Sequence, residues 1–353
     1  MHIPDGYLSP STCGVLYVGA GAGWYAALKR LKRALLSRVI PLISVFAAFS
    51  FVVMMFNLPL PGGTTGHALG VTIAAIVLGP SGAILALSIA LSIQALFFGD
   101  GGITTLGANC FNMAIVASLV AYASYRLIAA GAALTSRRRV VAAAVAGYLA
   151  VNAAALIAAV EFGIQPMLFH DASGTPLYAP YPLSIAVPAM MIGHLTFAGM
   201  AEAVISAGLV AYLQVADPAL LRATSGVIAD GDDARSTAPS FRRLWIIISI
   251  FMLLTPLGIL AAGTAWGEWS PAELAHAASS ASVANSTASS VPAGLQRLAS
   301  FWTAPFPAYA PAFVHSRGFG YLLSAMFGVG ILLIFSLVAR SWATRSRRKE
   351  SSA

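Results

Sequence analysis

Polar positions in this chain fall in short clusters, and the stretches between them are apolar over membrane-spanning lengths. A helix needs about 17–25 apolar residues to cross the hydrocarbon core. Nine runs approach that length: 11–28, 39–56, 67–79, 82–98, 105–133, 139–162, 184–213, 244–262 and 318–340. The pattern predicts an all-α polytopic membrane protein with about nine transmembrane helices. The third run is short and follows the Gly-rich stretch NLPLPGGTTG at 57–66. That combination fits a helix starting inside the membrane, where irregular backbone is tolerated if it is buried in protein or lines a cavity. GPSG at 79–82 signals a tight reversal before the fourth run. A second Gly-rich turn, GDGGITTLG at 99–107, also carries Gly-Gly, then Thr and Gly. The two turns are candidates to fold toward one pocket.

Composition narrows the class. With 58% hydrophobic and only 9% charged residues, the chain is not a soluble domain. The net charge of +8 is no sign of nucleic-acid binding, because the basic residues cluster between apolar runs. Alternate loops hold Lys29, Arg30, Lys32, Arg33 and Arg38, then Arg137, Arg138 and Arg139, then Arg222, Arg235, Arg242 and Arg243, and finally the tail from Arg340 to Lys349. The opposite loops hold only Arg297 and Arg317. The positive-inside rule then places the N-terminus outside and the C-terminus inside. Met1, His2 and the 57–66 loop share the outer side. Three units follow: a membrane domain at 1–215, a polar cytoplasmic linker at 216–243, and a two-helix module at 244–353 with an Ala/Ser-rich outer loop expected to be flexible. Cys13 and Cys110 are too few for a disulfide framework and read as buried thiols.

The first residues, MHIPDGYLSP, offer metal chemistry. A free Met1 amine, the amide nitrogen of His2 and the near nitrogen of its imidazole can wrap one cation in two fused chelate rings. The donors then lie nearly in a plane with one corner open. Square-planar nitrogen geometry suits Ni(II) and Cu(II), and low-spin Co(II) can adopt it. No cleavable signal precedes the first apolar run. The bulky His2 should also discourage removal of Met1, and Pro4, Gly6 and Pro10 make the terminus a rigid turn. His67, on the same outer side, is the candidate for the open corner. The alternative for His67 is a helix-start histidine bonded to a loop carbonyl.

Three blocks, MHIPDGYLSPSTC, AFSFVVMMFNLPLPGGTTGHALG and ALFFGDGGITTLGANCFNMA, resemble the CbiM/NikM family. Its members are substrate-binding membrane components of energy-coupling factor transporters for cobalt and nickel. The resemblance covers residues 1–215, and the part from TPLGILAAGTAWGEW onward is similar to the small CbiN/NikN-like component, fused on. By position it implies Met1 as amine donor, His2 as amide and imidazole donors, and His67 as the fourth nitrogen. It further implies a CbiQ/NikQ-like coupling subunit in the membrane, two CbiO/NikO-like ATP-binding subunits, and a bacterial-type inner membrane. Co²⁺ or Ni²⁺ is then cargo, with no permanent cofactor. The nitrogen set accepts both metals, and the resemblance leans toward cobalt.

Other residues qualify the picture. Asp5, Gln94, Asn109 and Asn112 are candidates to orient His2 or His67 from behind. A turn role for Asp5 and interhelical hydrogen bonding for the three amides are the competing readings. His194 and Glu202 lie on neighbouring faces of one long helix, and intramembrane ionisable residues are functional suspects; a mutual hydrogen bond or contact with a partner subunit is the expectation, ahead of a second metal site. The chain has three lysines, none after a glycine, so it cannot build a phosphate-cradling loop. H-E-x-x-H is absent too. The sequence therefore reads as a transporter component rather than an enzyme, with ATP hydrolysis on separate subunits. A self-sufficient secondary metal carrier is the rival, but such carriers usually pair carboxylates at the midplane, and Glu161 and Glu202 are the few candidates.

Overall fold

The computed structural model describes residues 1–31, 39–60, 64–224, 241–261, 265–280 and 291–350. The chain is mostly helical. Ser9 opens the first helix, α1 (Pro10–Leu31), by accepting from the Thr12 amide at 3.1 Å. Pro10 supplies the first helical residue, where a missing N–H costs nothing. The nine residues before it do not fray. Met1, His2, Ile3, Tyr7, Leu8 and Ser9 are all buried.

Helix α2 (Val39–Met54) leads into a short antiparallel hairpin, β1 (Leu58–Leu60) and β2 (Thr64–Gly66), with Leu58 opposite Gly66. Helix α3 (Val71–Ile93) follows. It is two helices meeting at a kink: Gly79 (φ 72°, ψ 171°) leaves the helical region just before Pro80. Straight, its length would be about 34 Å. Yet His67 before it and Gln94 after it both lie against His2. A Cβ built on Gly82 would also stand only 2.6 Å from that of Leu78, against roughly 5–6 Å for helix neighbours four apart. The chain therefore doubles back at GPSG. The first limb, residues 71–78, is about 12 Å long, less than half the hydrocarbon thickness.

Next come α4 (Leu106–Ala129), α5 (Arg137–Gly163) and α6 (Leu183–Ala216). Ser136 caps α5 by accepting from the Arg138 amide. Its buried face is a run of small residues, Ala142, Ala143, Ala146, Gly147, Ala150, Ala154, Ala155, Ala158 and Ala159, which lets neighbouring backbones approach closely. Past residue 240, α7 (Phe241–Leu254) and the long C-terminal α10 (Arg317–Glu350) lie beside α2, with the short α8 (Pro271–Ser280) and α9 (Ala293–Leu298) between them in sequence. Tyr321 of α10 donates to the Met55 carbonyl at 2.9 Å.

Among the described residues six helices are long and apolar enough to cross a membrane, and Val39–Met54 is a shorter apolar one. Three runs of the sequence reading account for the difference from nine. Pro10–Leu31 is outside the six, Val39–Met54 is 16 residues long, and 67–79 and 82–98 are the two limbs, either side of GPSG, of the single apolar stretch Val71–Phe98. Most of the expected linker, residues 225–240, and 281–290 of the Ala/Ser-rich loop lie outside the described residues.

Candidate metal centre

The terminal segment is threaded into the end of the bundle and fastened by its backbone. Asn109 accepts from the Ile3 amide at 2.8 Å and donates to the Ile3 carbonyl at 3.1 Å. The Gly102 amide reaches the same carbonyl at 2.9 Å, and the Thr105 hydroxyl donates to it as well. Asp5 takes the amides of Ile103 and Thr104 at 3.1 and 2.7 Å and the Thr104 hydroxyl. It is a turn-holding residue of the 99–107 loop. Gly102 is required there, since a Cβ would fall 2.4 Å from the Asp5 amide nitrogen and from its Oδ1.

These fastenings bring Met1, His2 and His67 together. His2 Nδ1 and His67 Nε2 face each other at 3.2 Å, both rings being buried. Two adjacent corners of a square plane about 2.0 Å from one cation stand roughly 2.8 Å apart. A small shift would therefore place both nitrogens on one ion. His67 Nδ1 sits 3.0 Å from the Ala68 carbonyl. It donates there, which leaves a lone pair on Nε2 toward His2. The loop-carbonyl bond and the ligand role, set against each other in the sequence, are compatible because they use different ring nitrogens. Burial, rather than the nearby positive amine, is the larger cause pulling the His2 imidazole down to about 4. The ring is neutral near pH 7 and able to bind a metal.

Three residues not singled out from sequence complete the surroundings. Asp100 Oδ1 is 3.0 Å from His2 Nδ1, a contact the neutral ring makes as a donor only in its Nδ1–H tautomer; a cation on Nδ1 requires the proton to sit on Nε2 instead. Asp100 Oδ2 accepts from the Tyr309 hydroxyl at 2.6 Å. Gln94 donates to Tyr309 at 3.0 Å and lies against His2. The Met1 amine pairs with Glu268 at 2.9 Å. The only signal for Asp100 was its place between glycines in GDGG, and for Glu268 its place between aromatic flanks. Nothing marked Tyr309.

Not every candidate reaches the site. Asn112 donates to Glu161 at 2.7 Å. Glu202 and His194 do not pair with each other. Glu202 binds backbone amides at the start of α3, and His194 faces the Met190 carbonyl. Cys13 and Cys110 are free buried thiols. Among the described residues no group of three or more His, Cys, Asp and Glu side chains is arranged to hold a metal ion by itself.

Known metal transport proteins are similar to this chain over most of its length. Residues 2–220 match the CbiM model, described as the cobalt uptake substrate-specific transmembrane region. The fused nickel transport protein NikMN of Rhodobacter capsulatus is 53% identical over 338 residues, covering 94% of this chain and 95% of that protein. The probable fused nickel transport protein LarMN of Lactiplantibacillus plantarum is 40% identical, covering 96% and 97%. The cobalt transport protein CbiM of Geobacter sulfurreducens is 32% identical, covering 76% and 74%. A crystal structure of a truncated transition metal transporter is 51% identical with a TM-score of 0.57, over 60% of this chain and 98% of its own.

Proposed function

The chain belongs to the CbiM family of cobalt uptake proteins, and on that premise we propose that it is the substrate-capture component of an ATP-driven uptake transporter for Ni²⁺ or Co²⁺. The cation is chelated by the Met1 amine, the His2 amide and Nδ1, and His67 Nε2. The observation that carries this reading is the 3.2 Å approach of His2 Nδ1 to His67 Nε2 beside the buried Met1 amine. Nickel is the favoured cargo. Two relatives that span nearly the whole chain are named as nickel transport proteins, and a plane of four nitrogens suits Ni(II).

Charge supports the assignment. A buried dication needs anionic partners. A deprotonated His2 amide supplies one negative charge, and Asp100, 3.0 Å from the His2 ring, supplies another. The amine and the amide must each lose a proton to bind. Uptake then requires partners that hydrolyse ATP, a coupling membrane subunit and two ATP-binding subunits, in a bacterial-type inner membrane with the N-terminus outside. Residues 1–215 form the metal-binding domain, 216–243 the linker, and 244–353 a module whose Glu268 and Tyr309 reach the site. A secondary carrier is disfavoured, because Glu161 and Glu202 are engaged separately by Asn112 and by backbone amides.

The experiment is elemental analysis of the purified protein with its native terminus and with one alanine inserted before Met1. The native form retains about one equivalent of nickel or cobalt. The extended form, whose amine is displaced and whose His2 becomes the third residue, loses it. Equal metal content in the two forms overturns the reading.

A further inference from the structure

Glu202 is fully enclosed on α6, and its carboxylate is committed to the backbone that carries His67. Oε2 accepts from the amides of Leu69 and Gly70, each at 2.8 Å, and Oε1 from the Thr72 amide at 3.3 Å. Ser206 reaches Oε1 at 3.5 Å. The amides at a helix start have no acceptor within the helix, and an anion there also meets the positive end of the helix dipole. The surroundings are shaped for this contact. Gly70 turns the chain with φ 67°, and a Cβ on Gly147 would stand 3.1 Å from Cγ of Glu202. His67 lies two residues before Leu69, and its own ring is tied to the Ala68 carbonyl. Little slack separates the Glu202 carboxylate from the His67 imidazole.

We infer that Glu202 is a positioning residue of the metal site: from the helix Leu183–Ala216 it holds the 69–72 backbone so that His67 Nε2 stays at the open corner of the plane. The inference rests on the four-nitrogen reading above. A carboxylate in an apolar interior is costly unless its lone pairs are met. Here they are met only while the chain around 69–72 keeps this shape. The consequence is mechanical. Met1 and His2 are fastened by Asn109, Gly102 and Thr105, while His67 is fastened through α6. That helix contains a widened, π-type turn at His194–Ala198, a feature frequent at functional sites. A shift of α6 carries Glu202 and withdraws the fourth nitrogen, leaving the three terminal donors behind.

The test uses nickel-loaded full-length protein and its visible absorption, which reports the donor set, with nickel affinity measured by chelator competition. Wild type is compared with His67→Ala, Glu202→Gln, Glu202→Ala and the Glu202→Ala/His67→Ala pair. Glu202→Ala lowers affinity about 10–100-fold, the range for outer partners of metal ligands, and its spectrum moves to that of His67→Ala. The pair is no worse than His67→Ala alone. Glu202→Gln, which keeps the shape and one acceptor oxygen, falls between. Wild-type spectra in both Glu202 variants, or losses that add in the pair, overturn the inference, because a role in folding alone leaves the donor set intact. If Glu202→Ala does not fold, Glu202→Gln is read by the same spectrum, and a wild-type result there overturns it. If His67→Ala leaves the spectrum unchanged, the four-nitrogen reading fails and the inference falls with it.

Discussion

Asn109 meets both hydrogen-bonding groups of the Ile3 main chain, at 2.8 and 3.1 Å, and so fixes the peptide that follows His2. Replacing it by alanine leaves the buried Ile3 amide without that acceptor, a cost of about 1–3 kcal/mol. Nickel affinity, followed by chelator competition, should fall on the order of 10–100-fold. Protons compete for the same donors. Binding strips them from the amine and the amide, so affinity should weaken steadily as pH is lowered from about 8 to about 5; a flat profile contradicts amide coordination. Much at this scale was legible in the sequence. A terminal Met-His singled out His2 and His67, which the fold brings to 3.2 Å, and the Gly-rich turn at 99–107 is the loop that fastens the terminus. Asp100, Glu268 and Tyr309 were not legible, because their roles come from contacts across 98, 267 and 209 positions. No local pattern records such distances. For Asn112 the interhelical reading is the one the fold supplies a partner for, Glu161 at 2.7 Å, and no local pattern names that partner.

At the scale of elements, the reversal at GPSG decides the architecture of the site. It sends α3 back on itself, so that His67 before the first limb and Gln94 after the second meet at one imidazole. Gly79 at φ 72° and ψ 171° occupies a region open essentially to glycine, and other residues there pay about 1–3 kcal/mol. Gly79→Ala should lower the thermal midpoint of the detergent-solubilised protein. Gly14→Ala is the control. Gly14 lies on exposed helix with nothing near its missing Cβ, so alanine there should be neutral or stabilising by up to about 1 kcal/mol. The reversal was readable because Gly-Pro-Ser-Gly is strong turn chemistry. The nine apolar runs are not nine spanning helices, because the 71–78 limb before that reversal is only about 12 Å long.

Across the whole molecule, residues beyond 243 close over the site that the first 110 residues form. Glu268 holds the amine, and Tyr309 holds Asp100 against His2. Ala308 and Tyr309 both adopt positive φ, 52° and 59°, an uncommon conformation outside glycine, and Tyr309 is stacked on Phe98 at 4.7 Å. Tyr309→Phe keeps that stacking and removes the hydroxyl bond to Asp100. A hydrogen bond to a charged group is worth about 1.5–3 kcal/mol, so nickel should escape to a chelator roughly tenfold faster or more. The central claim is that the terminus supplies main-chain nitrogen to the cargo. X-ray absorption at the nickel edge of the loaded full-length protein tests it most directly. The account expects four nitrogen neighbours in a square plane, lost on adding a residue before Met1. A six-coordinate, oxygen-rich shell, or a four-nitrogen plane unchanged by that addition, contradicts it.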